Sequence, residues 1–195
     1  MSTPYSTGIR PDTGLYNSKL GMWLFLAAEA MFFGALFSSY AFLRTASASW
    51  PDGSDILPTI PALIAVVACA VAAAAATYAW RGASRSGGFP ARALWIVAAA
   101  SLASAVFMGL GLRLEFSEGM TPATNTFYAC WYLITAMTAA HAAPAGGYAL
   151  FLLWPRPEGD EVGCQCLRNR IECLGLLLQF VALVWVAAFA CFYVF

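Results

Sequence analysis

Glu29 is the residue that most restricts what this chain can become. It lies inside the run Leu20-Gly-Met-Trp-Leu-Phe-Leu-Ala-Ala-Glu-Ala-Met-Phe-Phe-Gly-Ala-Leu-Phe, and about 20 apolar residues are enough to cross a bilayer. A carboxyl near the bilayer centre costs roughly 2.5–3.5 kcal/mol on insertion scales. It persists where it faces other protein, pairs with another group, or lines a hydrated path. The run therefore belongs to a bundle, and the bundle has a polar interior.

The rest of the chain agrees. Of its 195 residues 61% are hydrophobic and only 10% are charged, against about 25% charged in a soluble domain. Five apolar runs are long enough to span, at about Lys19–Leu43, Ile56–Trp80, Ala93–Leu112, Phe127–Trp154 and Ile171–Phe195. The alternating segments of about ten residues that build a membrane barrel are absent. The expectation is an all-α polytopic membrane protein, a bundle of five transmembrane helices over residues 19–195, preceded by a polar arm at 1–18. The first apolar run is too long for a secretory signal and has no cleavage site after it, so it reads as a retained span.

If all five runs cross, Arg10, Lys19, Arg81, Arg85, Arg92, Arg156, Arg168 and Arg170 share the side of the N-terminus, and only Arg44 and Arg113 face the other. The positive-inside rule then puts the N-terminus in the cytoplasm and the C-terminus outside. Asp52, Asp55, Glu115 and Glu118 fall in the outward loops, Ala46–Pro61 and Arg113–Thr124. Asn125 stands where a helix cap belongs. The alanine run Ala70–Ala76 in the second span, and Ala98–Ala100 with Ser101, Ala103 and Ser104 in the third, read as surfaces for close helix packing.

Four polar groups are candidates for chemistry: Glu29, His141, Gln179 and Glu172. At about 1.5 Å of rise per residue, Glu29 lies roughly 15 Å into its span, His141 roughly 20 Å and Gln179 roughly 13 Å, all near the midplane. Glu172 is shallower, beside Arg168 and Arg170. Glu29 and His141 supply the exchangeable groups that a proton relay needs. The plainer reading is interhelical hydrogen bonding, worth about 0.6 kcal/mol on average. Because each is expensive to bury alone, they are expected within hydrogen-bond reach, directly or through one water, with Gln179 as the substitute partner. Pro144, one turn after His141, frees the carbonyl of Ala140; a packing bend is the plainer account of it.

Much chemistry is excluded. One histidine cannot make a bis-His haem site, and no His, Cys and carboxylate cluster has metal-ligand spacing. There is no Gly-rich phosphate loop, no hydrolytic triad and no basic patch for nucleic acid. Cys69, Cys130, Cys173 and Cys191 fall in spans as small apolar fillers. Cys164 and Cys166 fall in the loop Trp154–Arg168; a soft-metal pair is conceivable there, but a plain exposed loop accounts for them.

Three segments carry a resemblance. Trp23-Leu-Phe-Leu-Ala-Ala-Glu29-Ala-Met-Phe-Phe-Gly34, followed by Tyr40 and Arg44, resembles the signature span of cytochrome c oxidase subunit III, with Ala28 in place of the usual serine. Tyr132-Leu-Ile-Thr-Ala-Met-Thr-Ala-Ala-His141 is similar to the family's second motif, in which two histidines stand three apart; His141 matches the second and Thr138 replaces the first. Glu172, Phe180-Val181, Val184-Trp185 and Phe189 resemble the closing helix, with Gln179 in place of a histidine and Ala182 in place of an aspartate. The likeness runs from about Leu20 to Tyr193, and the chain looks like the five-span form rather than the seven-span one.

The resemblance implies a subunit of an enzyme complex, a cytochrome c or quinol oxidase, with no redox centre of its own. Haem and copper are then expected in partner subunits. It implies a hetero-oligomer with the catalytic oxidase subunit I and other oxidase subunits in the bacterial cytoplasmic (inner) membrane. It also implies support of proton uptake and structural phospholipid, with Arg81, Arg168 and Arg170 as headgroup candidates. Other readings stand beside it: the accessory subunit of nitric oxide reductase, a small transporter or proton channel, or a scaffold in which Glu29 is structural. The Ala-Glu-Ala-Met-Phe-Phe stretch favours the oxidase.

Overall fold

The computed structural model describes residues 12–86, 89–154 and 161–194. The first eleven residues of the polar arm, with Arg10, and the segment 155–160, with Arg156, lie outside it. Among the described residues there are helices and turns and no strand. The elements are α1 (Asn17–Ala46), α2 (Gly53–Ile56), α3 (Thr59–Ser86), α4 (Ala91–Ser117), α5 (Thr126–Leu152) and α6 (Glu161–Phe189), the last ending in a π turn, Ala190–Val194.

Four of these helices, α1, α3, α4 and α6, are long and apolar enough to cross a membrane, so the chain is a multi-pass membrane protein. Helix α5 has 27 residues, about 40 Å at helical rise, the same as α4 and within three residues of α1, α3 and α6. Tyr132, Thr135, Thr138, His141 and two glycines dilute its apolar content. Burial explains part of this set: Thr135, Thr138 and Gly146 are within the bundle.

Several helices outrun the apolar segments that announce them. Helix α4 reaches Ser117 rather than Leu112, and α3 reaches Ser86 rather than Trp80. Apolarity marks where hydrocarbon ends, whereas backbone hydrogen bonding carries the helix on into water, where Arg81, Arg85 and Arg113 reach out on their long stems. The expected loop before the last span is likewise helical from Glu161, so positions 164 and 166 lie on α6. Within the outward loop Ala46–Pro61, Asp52 caps the short α2 by accepting from the Ser54 amide. Asn125 caps α5, accepting from the Tyr128 amide at 2.9 Å, and α5 continues through Pro144 to Leu152.

Helices α3, α4, α5 and α6 pack as a ring of neighbours, and α1 leans on α5 and α6 from outside. The alanines of α3 work as their spacing suggests. Ala72, Ala76, Ala79 and Ala83 lie on one helical face and are fully or almost fully buried, where the absence of a long side chain lets backbones approach. The partners in that half of the bundle are Leu94, Val97, Ile171, Leu174 and Leu178. The other half is aromatic, built on Phe127, Trp131, Trp185 and Phe192. Two glycines are sterically required. A Cβ on Gly146 would sit 2.8 Å from Cγ of Leu102 and 3.2 Å from its backbone nitrogen, and one on Gly53 would sit 1.8 Å from the Phe192 carbonyl oxygen.

Helix α1 is the least buried. Only 11% of its apolar stretch is covered, against 28%, 39% and 44% for α3, α4 and α6. Its buried residues, Leu26, Phe33 and Tyr40, recur every seven positions. That is one narrow seam, as in a two-helix contact.

Candidate functional site

Glu29 lies on that seam, three residues after Leu26 and four before Phe33. Its carboxylate meets His141 of α5, with Oε2 3.3 Å from Nε2. The side chains are 19% and 14% exposed, so both are largely withdrawn from the surroundings. Rings close the site: Phe25 and Phe33 lie with their centroids 6.3 and 5.7 Å from the imidazole, and Phe180 of α6 meets Phe33 edge-on.

The other imidazole nitrogen fixes the tautomer. Nδ1 of His141 is 2.7 Å from the Met137 carbonyl oxygen, and a carbonyl can only accept, so Nδ1 carries hydrogen. Nε2 then faces Oε2, which is buried and has no other hydrogen-bond partner. A proton between Nε2 and Oε2 would leave the pair neutral overall, whichever atom carried it. At 3.3 Å the contact is within ion-pair range but is not aligned as a hydrogen bond.

The other candidates lie elsewhere. Gln179 is not a third member of a midplane cluster: it is exposed on the α3–α6 side and donates from Nε2 to Oγ1 of Thr77 at 3.0 Å. Its depth is similar, but α6 turns it away from α1. Glu172, beside Arg168 and Arg170 in sequence, finds its partners on α1 and just before it. It accepts from Lys19 Nζ and, at 2.7 Å, from the Tyr16 hydroxyl. This clamps the start of α1 to α6. Burial and then the hydrogen bond to Glu172 push the Tyr16 phenol up from its ordinary value, so it remains a donor. At the far end of α1 the Tyr40 hydroxyl donates to the Cys191 carbonyl at 2.7 Å. Helix α1 is thus held at its start, its middle and its end.

Between the pair and the start of α1 lies a cavity of about 330 Å³, bounded by Ser18, Met22, Pro144, Tyr148 and Arg170. Pro144 is one turn from His141, and Met22 is two turns from Glu29. Of the headgroup candidates, Arg170 borders this cavity, and Arg81 borders a second one between α3 and α6. Arg168 is partly buried at the same end of α6.

Sequence reasoning put Glu115 in an outward loop. It is instead a helical residue only 4% exposed, beside Tyr128, and its Oε2 has no hydrogen-bond partner. The signal was present: Ser101, Ser104, Met108, Gly111 and Glu115 are all buried and follow the three-and-four spacing of one helix face. Among the described residues no group of three or more His, Cys, Asp or Glu is placed to hold a metal ion.

Fold and site together define a polytopic helical membrane protein with a largely covered carboxyl–imidazole pair. No family model matches the chain. It is similar to cytochrome bo(3) ubiquinol oxidase subunit 3 of Pseudomonas aeruginosa, 27% identical over 190 residues, covering 91% of this chain and 84% of that protein. Cytochrome c oxidase subunit 3 of Thermostichus vulcanus is 26% identical over 179 residues, 90% of this chain and 86% of that one. A third relative, the heme-copper oxidase subunit I+III of Aeropyrum pernix, is 23% identical over 189 residues, 90% of this chain and 22% of its own length. The likeness supports an accessory subunit of a haem-copper oxidase.

Proposed function

We propose that this chain is a non-catalytic integral-membrane subunit of a haem-copper terminal oxidase of aerobic respiration. The observation that carries the reading is the end-to-end likeness to oxidase subunit 3 proteins, about nine-tenths of this chain against more than four-fifths of theirs. The relative named as subunit I+III favours the catalytic subunit I as its main partner. In this reading five helices cross the bacterial cytoplasmic membrane, α5 included, with the N-terminus inside. Charge asymmetry supports that orientation.

The chain stabilises the catalytic subunit and supports its proton uptake. Glu29 and His141 are the residues proposed for the second role, because they face each other at 3.3 Å, within two turns of a cavity bordered by Met22 and Pro144 and, near the start of α1, by Ser18 and Arg170. Phospholipid is proposed against the arginines at that level, Arg81, Arg168 and Arg170, of which Arg170 borders that cavity. Basic pockets between transmembrane helices on the cytoplasmic side suit anionic headgroups.

Purification of the tagged chain from its own membranes in mild detergent tests this. Haem and copper copurifying with it, read from the visible spectrum and metal analysis, are expected. A colourless, homogeneous chain would refute it. In the purified complex, Glu29→Gln should leave assembly intact while turnover falls or decays faster; unchanged turnover over many cycles would reduce Glu29 to a structural role.

A further inference from the structure

The first turns of α1 are held by very little. Between Tyr16 and Leu26 no residue of the helix is buried, and a Cβ on Gly21 would meet nothing from another helix within 4 Å. What holds them is the group of contacts around Glu172. Its carboxylate accepts from Lys19 Nζ and, at 2.7 Å, from the Tyr16 hydroxyl, which also lies 3.2 Å from the Asn169 carbonyl oxygen. The Lys19 and Glu172 side chains are 25% and 17% exposed, so the clamp stands at the edge of the bundle. A helix end with few buried contacts opens locally at low free-energy cost, and the clamp sets how often this one does.

The same contacts stand at one end of the cavity of about 330 Å³. Ser18, Arg170 and Cys173 border it there, and Cys173 Sγ is 4.0 Å from the Tyr16 hydroxyl. At its other end it is bordered by Pro144 and Leu177. Pro144 is one turn from His141, and Leu177 is about 6 Å along α6 from Cys173. Met22, Ala145 and Leu174 complete an apolar wall, and an apolar cavity closed to solvent stays dry. Arg170, the headgroup candidate, is at the clamped end.

We propose that the Tyr16–Lys19–Glu172 clamp is a gate that decides when water from the proposed cytoplasmic side enters the cavity below His141. The gate itself rests on the packing of α1. The use we give it, supplying Glu29 and His141, rests on their proposed role in proton uptake.

Two thiols read the gate in the complex purified in mild detergent: native Cys173 at the clamped end, and Leu177→Cys at the other. With the clamp intact both should react slowly with a small water-soluble methanethiosulfonate, scored by peptide mass. Lys19→Met and Tyr16→Phe should each speed both reactions about tenfold to a hundredfold, the range that hydrogen bonds to a charged group support. Buried Cys69 of α3 should stay unlabelled. Lys19→Arg, which keeps the ion pair, should leave the rates as they are. Losing a cation beside a thiol does not itself activate it, so a faster Cys173 in Lys19→Met reports opening. Rates unchanged by Lys19→Met and Tyr16→Phe would overturn the gate. So would a faster Cys173 with no reaction at position 177, or labelling of Cys69 in step with Cys173, which is general unfolding. None of these readings depends on haem or copper, so failure here refutes the gate and leaves the oxidase reading to its own test.

Discussion

Removing His141 should harm the protein more than removing Glu29, and removing both should harm it less than removing His141. Unit charges 3.3 Å apart attract by about 5 kcal/mol at an effective dielectric of about 20. Desolvation offsets most of that gain, which is why replacing a whole buried pair by apolar groups is often neutral or stabilising. Breaking the pair is different. His141→Leu leaves the Glu29 carboxyl alone on a helix facing α5, at a cost of about 3–5 kcal/mol, and the partial exposure argues for the lower end. Glu29→Leu leaves a neutral imidazole whose Nδ1 still bonds the Met137 carbonyl, so only Nε2 is orphaned, at about 1–3 kcal/mol. For a chain of this size about 3 kcal/mol lowers Tm by roughly 6–12 °C. Heating in detergent with a thiol-reactive dye reads this out, since Cys69 and Cys173 are buried and react only on unfolding. The expected order of Tm is wild type and double mutant highest, Glu29→Leu lower, His141→Leu lowest. A double mutant that loses the sum of the two single losses would refute the pairing argument.

Three further outcomes are expected. Glu172→Gln should loosen the start of α1, because Lys19 loses its counter-charge; hydrogen exchange should quicken at the first turns of α1 and not in α3 or α4. Gly53→Ala should lower Tm by several degrees, since the new Cβ meets the Phe192 carbonyl at 1.8 Å and must push α2 off the terminal π turn. Cysteine labelling in intact cells should leave Cys166, at the start of α6, unreactive to impermeant reagents, and reactivity from outside would reverse the proposed orientation.

The helices and the pair were legible in the sequence for different reasons. Apolar runs located the long helices to within a few turns, because length and composition are what a bilayer demands. They missed the ends, where Arg85 and Arg113 continue a helix that hydropathy has already closed. Depth arguments placed Glu29 and His141 at one level, and the structure brings them to 3.3 Å. The same arguments placed Gln179 there too, yet it faces away. Depth is one coordinate, and azimuth is the other. For Glu29 azimuth was readable from Leu26, Phe33 and Tyr40, which repeat every seven residues. For Glu115 it was readable from the stripe that begins at Ser101. Such stripes name the buried face without naming the neighbour, so the Glu172 clamp to Lys19 and Tyr16, more than 150 residues apart in sequence, had no local signature.

That long separation has a consequence for how the protein is made. Helix α1 leaves the ribosome before the helices it leans on, α5 and α6. Glu29 precedes His141 by 112 positions, and at about 5–20 residues per second the interval is on the order of ten seconds. Throughout it the carboxyl has no imidazole to face, and the seam of Leu26, Phe33 and Tyr40 lacks the α5 and α6 surfaces it closes on. The newborn helix therefore lacks its own partners until α5 and α6 have been made. Biosynthesis, more than the finished bundle, is where a substitution at Glu29 or His141 should first be felt.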